Sequence, residues 1–521
     1  MTATDETTEP VVPVRYDFTH RQIQLVLVGI MSGSFLAALD QTIIATALPR
    51  IVGDFGGVDQ LAWIASIYLL TSTAAMPIIG KLSDLYGRRL LFQISIVVFM
   101  VGSLMAGGSQ TMGQLIAARA VQGFGAGGLV VLNFSVLADI VAPRERGRYQ
   151  GYVASVWAVA AVIGPFLGGF FVDNFTWRWI FFVNLPVGIG ALVITSAVLK
   201  LPKRDRSDVS IDYLGAALLV AAIVSLLLVT EWGGDQYDWI SPEILGLLGA
   251  SVALILLFVW CERRASDPII PPRLFTVPTF RISASAATVF GMLQFGTVLF
   301  VPVYFQIVRG DTATNSGLLL IPQMIGILTG TIGAGRLTTR TGHYKIFALI
   351  GLPMLAASFF VLSRMQPDTS QWVAIVCMVF VGAGIGMTTP VLMLSVQNAV
   401  ATDDIGSATS ALMTVRSMGS SLGAALFGAV LTGRLNTEIA QNLGRAARDI
   451  DPALLRGSPD QIARLPEKVQ SGVIESFAEA LSTVFLAAVP IAVVAFLIVL
   501  FLPELPLRTR EELLEPASPL V

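Results

Sequence analysis

Three groups of residues in this chain have types and spacings suited to chemistry. The first is a lone carboxyl, Asp40, inside the apolar run from Gly29 to Pro49. Translocon scales put an aspartate at the centre of a membrane helix at roughly +2.5 to +3.5 kcal/mol, so intramembrane acids face cavities and mark proton or ion pathways. The second is Arg119, within another apolar run and one helical turn from Gln122, so the two share a face. An unpaired arginine in lipid is costly, so Arg119 is expected to face a cavity and find an acid. Asp40 is the acid well inside a span of the N-terminal half. A change in their separation would change how readily Asp40 holds a proton; the alternative is a fixed structural pair joining two helices. The third group is the segment Gly80-Lys-Leu-Ser-Asp84-Leu-Tyr-Gly87-Arg88-Arg89, which mixes glycines, one acid and a basic pair.

Composition fixes the surroundings of these groups. The 521 residues are 54% hydrophobic and only 13% charged, with a mean hydropathy of +0.75. A soluble domain carries about 25% charged residues, so this is an integral membrane protein. The net charge is −2, and no basic tract points to nucleic acid. Two distant cysteines, Cys261 and Cys377, and two histidines, His20 and His343, argue against a disulfide framework or a metal site, and no cofactor is expected. Scattered loop acids and scarce histidine argue against an enzyme. A phosphate-binding Gly-x-x-x-x-Gly-Lys-Ser/Thr loop is missing as well. Met1 to Asp17 is polar, acidic and proline-containing, and reads as a disordered tail rather than a signal peptide.

Apolar runs long enough to cross a bilayer recur near 22–48, 61–80, 90–108, 112–135, 149–172, 177–198, 212–230, 243–261, 280–304, 316–336, 345–363, 371–397, 406–433 and 480–502. That predicts an all-α polytopic membrane protein with about fourteen spans. Basic residues cluster in alternate loops: Lys81/Arg88/Arg89, Arg144/Arg146/Arg148, Lys200/Lys203/Arg204/Arg206, Arg263/Arg264/Arg273 and Arg336/Arg340/Lys345. The positive-inside rule places these loops, and both termini, in the cytoplasm of a cell with the chain in its inner (plasma) membrane. The stretch 434–478 then lies outside, and its apolar spacing suggests amphipathic helix fragments resting on the outer surface.

A degenerate copy of the Gly80–Arg89 segment, Gly335-Arg336-Leu-Thr-Thr-Arg340-Thr-Gly342-His-Tyr-Lys345, occupies the matching place between spans ten and eleven. Such duplication is how many secondary transporters are built. The expected organisation is a tail over 1–21, a six-helix bundle over 22–200, two inserted helices over 201–265, a second six-helix bundle over 266–503 and a tail over 504–521. Five motifs then point to one family. The Gly80–Arg89 segment resembles the signature loop of the major facilitator superfamily. Leu39-Asp40-Gln-Thr42-Ile-Ile-Ala-Thr-Ala47-Leu48-Pro49 resembles the first-helix motif of its fourteen-span drug:proton antiporters. Leu115 with Arg119-Ala-Val-Gln122-Gly123-Phe-Gly125 resembles the fourth-helix motif. Gly164-Pro165-Phe-Leu-Gly168-Gly169 resembles the fifth-helix antiporter motif, with Ala160 where the family often has glycine. Trp177-Arg178-Trp179 through Asn184-Leu-Pro186-Val-Gly188 is similar to the sixth helix.

The resemblance implies proton-coupled export of lipophilic or amphipathic compounds by two bundles rocking around a central cavity. It implies that Asp84 meets the N-terminus of a helix near Ile405-Gly406-Ser407 as a cytoplasmic gate, with Arg88 and Arg89 competing for it when released. It implies that Asp40 and Arg119 couple the proton, and that Gly164, Pro165, Gly168 and Gly169 pack helices tightly against leak. Without the resemblance, the loop is an ordinary positive-inside anchor and the glycines are generic packing. Candidates expected to line a substrate cavity are Gln122, Asn133, Trp157, Tyr304, Gln306, Gln323, Gln397 and Arg416, with Met292, Phe295, Phe300, Phe134 and Met393 as its expected apolar lining. Arg416 has no in-span acid partner in its half. One proton moving inward releases about 2.3 kcal/mol per 100 mV, enough for a roughly fifty-fold gradient of substrate. A dedicated exporter of one metabolite, antibiotic or lipid, and a non-transporting sensor, remain the alternatives. Expected partners are small lipophilic substrates, protons and the lipid bilayer.

Overall fold

The computed structural model describes residues 20–44, 47–55, 61–141, 143–199, 212–233, 236–238, 240–311, 320–366, 369–401, 404–443, 462 and 465–507. The expected outer parts of both tails, the basic cluster Lys200–Arg206 and the middle of the 434–478 stretch lie outside the described residues. So do the side chains of Pro165 and Phe295.

Long apolar runs leave the backbone no water to bond, so helices that satisfy their own N–H and C=O groups are the available solution. The helices run α1 (His20–Ile43), α2 (Leu48–Phe55), α3 (Leu61–Tyr86), α4 (Arg88–Gly107), α5 (Met112–Ile140), α6 (Pro143–Asn174), α7 (Trp179–Phe182) and α8 (Asn184–Val198). They continue through α9 (Tyr213–Trp232), α10 (Pro242–Glu262), α11 (Pro278–Val303), α12 (Leu320–Thr341), α13 (Lys345–Leu362), α14 (Gln371–Ala399), α15 (Ile405–Leu443) and α16 (Glu467–Leu500). Among the described residues, 11 helices are long and apolar enough to cross a membrane. The helices α11, α12 and α15 fill the remaining three expected places.

Local signals set the ends. Thr111 caps α5 by accepting from the Gln114 amide at 3.3 Å, and Asp212 caps α9 through the Gly215 amide at 2.7 Å. Gly87, with φ 91°, makes the turn from α3 to α4 in a left-handed conformation that a side chain would strain.

The helices form two bundles. In the first, α5 packs on α3 and α4, while α1 packs on α6 and α8; in the second, α14 packs on α12 and α13, and α15 packs on α11 and α16. The bundles meet along two seams, α3 with α15 and α6 with α12. The extra pair α9–α10 packs on itself and leans through α9 on both α3 and α15. It therefore sits beside the first seam rather than apart from the bundles.

The stretch beyond residue 434 differs from expectation. Helix α15 continues without a break to Leu443, and α16 begins at Glu467 and packs along it. At 1.5 Å per residue, the 39 residues of α15 span about 58 Å, well beyond a hydrocarbon core of about 30 Å. Leu435, Ile439, Leu443, Val469, Val473 and Phe477 are buried in this extension. Their apolar spacing belongs to two long helices packed side by side, not to separate short fragments.

Candidate functional site

Asp40 lies near the end of α1 remote from Asp84. Its Oδ2 accepts from Arg119 Nη1 at 2.5 Å, and its Oδ1 accepts from Gln122 Nε2 at 2.7 Å and Asn184 Nδ2 at 2.9 Å. Arg119 also donates to Gln122 Oε1 at 2.7 Å and to the Ile64 carbonyl at 3.1 Å, and stacks over the Tyr68 ring at 4.2 Å. Ser103 accepts from Gln122 and Asn184 and donates to the Phe181 carbonyl at 2.9 Å. Asp40 is 0% exposed and Arg119 1%. The helical pitch explains part of this: Arg119 and Gln122 share a face of α5. The rest follows from glycines that let α5 approach its neighbours. A Cβ on Gly102 would fall 2.4 Å from the Gln122 amide nitrogen, and one on Gly123 would fall 2.4 Å from the Tyr68 carbonyl oxygen.

Gln122 therefore belongs to the Asp40 cluster, its amide consumed by Asp40, Arg119 and Ser103, rather than standing open to a cavity. Asn133 is likewise engaged: it donates to Ser34 on α1. The sequence marks neither Ser103 nor Tyr68, and gives Asn184 no role beside Asp40. Asn184 stands in the sixth-helix motif, at the break between α7 and α8; nothing in the sequence distinguishes Ser103 from other helix serines.

At the other end, the Asp84 carboxylate crosses between bundles. Its Oδ2 accepts from the Ser407 amide at 2.8 Å and the Ser407 hydroxyl at 3.0 Å, at the first turn of α15. Such a position satisfies free N–H groups and the positive end of the helix dipole. Arg88 already pairs with Asp84 at 2.5 Å while this contact is made, and holds Asp139 at 3.0 Å. Arg89 turns elsewhere, donating to the Ser196 carbonyl at 2.9 Å. The competition expected of Arg89 is thus not seen in this conformation. Gly80 allows the close approach: a Cβ there would fall 2.5 Å from Ser410.

The second seam is closed differently. Arg144 donates to the Thr339 carbonyl at 2.8 Å, and Thr339 returns a bond to the Arg144 carbonyl at 3.0 Å. Arg146 reaches Gln397 at 3.4 Å, and Gln397 donates to Thr409 at 3.1 Å. Gln397 accordingly lies in the closed end, not in an open cavity. Between them Gly147 and Gly335 meet backbone to backbone, so that a Cβ on Gly335 would fall 2.3 Å from the Gly147 carbonyl carbon. This gives the degenerate Gly335 segment a physical purpose that its sequence alone did not disclose.

Within the first bundle, a Cβ on Gly164 would fall 2.0 Å from Thr42 Oγ1, and Thr42 donates to the Ala160 carbonyl at 2.9 Å. Gly168 is buried; Gly169 has open space where a Cβ would be. Helix α6 runs unbroken through Pro165. Trp157 is half-buried on α6, Tyr304 is buried and Gln306 half-buried on a π-helical turn after α11, and Gln323 is buried where α12 meets Gly382 of α14. Arg416 is half-buried on α15 and borders a small cavity with Met393 and Met413.

These features define a polytopic helical transporter built of two bundles with closable seams. The model of the Major Facilitator Superfamily matches residues 30–211 and 213–424, and the chain belongs to that superfamily. It is 40% identical over 484 residues to an uncharacterized MFS-type transporter of Mycobacterium tuberculosis, covering 93% of this chain and 70% of the relative. It is 33% identical over 511 residues to the multidrug transporter protein MdtP of Bacillus subtilis, covering 94% of each. The solved structure of the proton:xylose symporter XylE shares the fold, with a TM-score of 0.62 at 15% identity, covering 95% of this chain and 99% of that one. The chain is a membrane transporter of small molecules, from a family that is not enzymatic, and its relatives include multidrug and efflux transporters.

Proposed function

We propose that this chain is a proton-coupled exporter of lipophilic or amphipathic small molecules, a multidrug efflux antiporter working by alternating access in the plasma membrane. The Asp84 end, where the described basic loops gather, faces the cytoplasm, and so do both termini. The observation that carries the proposal is the sealed Asp40–Arg119 pair, a carboxylate held at 2.5 Å by a guanidinium with both side chains out of contact with solvent. A buried charge pair of this kind tolerates the loss of one charge poorly. Protonation of Asp40 releases its hold on Arg119, and Arg119, Gln122 and Asn184 link that event to α5 and α8. The closed seams then supply the second half of the cycle. Opening towards the cytoplasm requires Asp84 to leave Ser407, Arg146 to leave Gln397 and Arg144 to leave Thr339. Asp40 is enclosed in the conformation described, so proton exchange belongs to a conformation with the Asp40 end open.

The test is transport by the purified chain in proteoliposomes, with a dye or biocide as cargo and an imposed pH gradient. Accumulation that follows the gradient and collapses with a proton ionophore is expected. Transport indifferent to the gradient would overturn the proton coupling.

A further inference from the structure

Arg416 is a half-buried cation of the second bundle that no acid neutralises among the described residues. It lies eleven residues into α15 from Ile405, which places it about 16 Å along the helix axis, near the middle of a span. No aspartate or glutamate occurs in α11, α12, α13, α14 or α15 up to Gly433. Among the described residues the Arg416 guanidinium has no hydrogen-bond, ion-pair or ring partner, and no acid acts on it electrostatically. Arg119 in the first bundle is the contrast, with Asp40, Gln122, the Ile64 carbonyl and the Tyr68 ring all engaged.

The backbone around Arg416 is fixed by close packing. A Cβ on Gly291 would fall 2.2 Å from the Arg416 carbonyl oxygen, and one on Gly419 would fall 2.0 Å from the Thr288 carbonyl oxygen. Helix α15 is thus held close against α11 from Arg416 through Ser420, and Arg416 lines a small cavity with Phe290, Leu392, Met393, Leu412 and Met413. Those five are nearly fully buried, and two are methionines, which adapt to irregular apolar shapes. A charged fork beside an adaptable apolar wall matches a molecule with one anionic group and one greasy body. Guanidinium geometry favours carboxylate, phosphate or sulfonate over a neutral polar group.

We propose that Arg416 is an anion-binding subsite and that amphipathic anions are a substrate class of this transporter. The proposal names the cargo of the export function proposed above and rests on that function. The cavity measures about 10 Å³ in this closed conformation, so binding belongs to a conformation that widens it, in which the anionic group pairs with Arg416 while the apolar part lies against Met393, Met413 and Phe290. The cost of the unpaired cation is then relieved only when cargo is bound.

The experiment is equilibrium binding to the full chain in nanodiscs, without any gradient. The probes are a fluorescent amphipathic carboxylate, its uncharged methyl ester and its cationic amine analogue. The carboxylate is expected to bind at least tenfold more tightly than the ester. Arg416→Gln is expected to remove that preference while leaving ester binding intact, which also reports folding, and Arg416→Lys to keep part of it. Equal binding of carboxylate and ester, preference for the amine, no binding of any probe, or a preference that survives Arg416→Gln would each overturn it. Repeating the measurement in phosphatidylcholine and phosphatidylglycerol discs separates two sources of the anion. Unchanged affinity assigns the site to a solute; competition by phosphatidylglycerol that Arg416→Gln abolishes assigns it to a lipid headgroup. Loss of pH-driven transport with the carboxylate preference intact would overturn the export function and leave the anion site standing.

Discussion

Asp84 on α3 accepts the Ser407 amide of α15 at 2.8 Å, a bond between residues 323 positions apart that ties one bundle to the other. The same carboxylate holds Arg88 at 2.5 Å, so the link between bundles and the basic segment of the loop share one acid. Both side chains are about 4% exposed. A contact at a helix start, buried and charge-assisted, favours a closed end without preventing its opening.

Asp84→Ala is expected to weaken that closed end by about 0.5–2 kcal/mol, the usual worth of a helix cap, or roughly 2- to 30-fold in the ratio of closed to open. The measurement is the rate at which a membrane-impermeant maleimide labels Ser410→Cys in inside-out vesicles, with Cys261 and Cys377 replaced by serine. Labelling should rise in the Asp84→Ala background. An unchanged rate would mean that the contact with Ser407 does not hold the end shut.

Gly335→Val tests the second seam. A Cβ at residue 335 meets the Gly147 backbone at 2.3 Å, and backbone cannot rotate away as a side chain can. The expected result is an end that fails to close and a loss of transport of about tenfold or more, in line with overpacking costs of about 1–3 kcal/mol. Gly333→Ala, where a Cβ meets nothing within 4 Å, should transport normally. Equal effects of the two would show that close approach is not what Gly335 provides.

Asn184→Ala removes a buried donor from Asp40 and from Ser103 at once. The expected cost is about 1–3 kcal/mol of stability, read as a lowered Tm in detergent. Gln122 donates to the same Asp40 Oδ1 and to the same Ser103. The double variant with Gln122→Ala should therefore deviate from additivity by about 0.5 kcal/mol or more. Strict additivity would mean that the two amides act separately.

Much of this arrangement is legible in the sequence, for identifiable reasons. Arg119 and Gln122 sit three apart on one helix face, and an arginine in an apolar run demands an acid; Asp40 was the one within reach. The contact of Asp84 with the start of α15 is what the family resemblance alone implies. What stayed hidden were relationships that depend on three-dimensional proximity alone. Serine is common in apolar helices, so Ser103 carried no mark of its place beside Asp40. Gly333 and Gly335 look alike in sequence, yet one has open space and the other touches Gly147. Gln122, Asn133 and Gln397 are polar residues in apolar spans, a pattern equally consistent with a cavity wall and with a closed hydrogen-bond network. In the structure their amides bond to Asp40, Ser34 and Thr409. The continuation of α15 to Leu443 and its packing on α16 differ from the surface fragments expected, because apolar spacing reports a buried helix face without saying what buries it.

The proposed coupling turns on Asp40, and Asp40→Asn keeps its shape while removing its charge. Loss of one partner of a buried pair costs about 3–5 kcal/mol, so Tm and gradient-free cargo binding must be read alongside transport. The decisive measurement is pH-gradient-driven cargo uptake into proteoliposomes by Asp40→Asn set against the native chain. Uptake at the level of empty liposomes, with cargo binding retained, is the result the proton-coupled exporter predicts. Uptake that still follows the pH gradient at the native rate would contradict it.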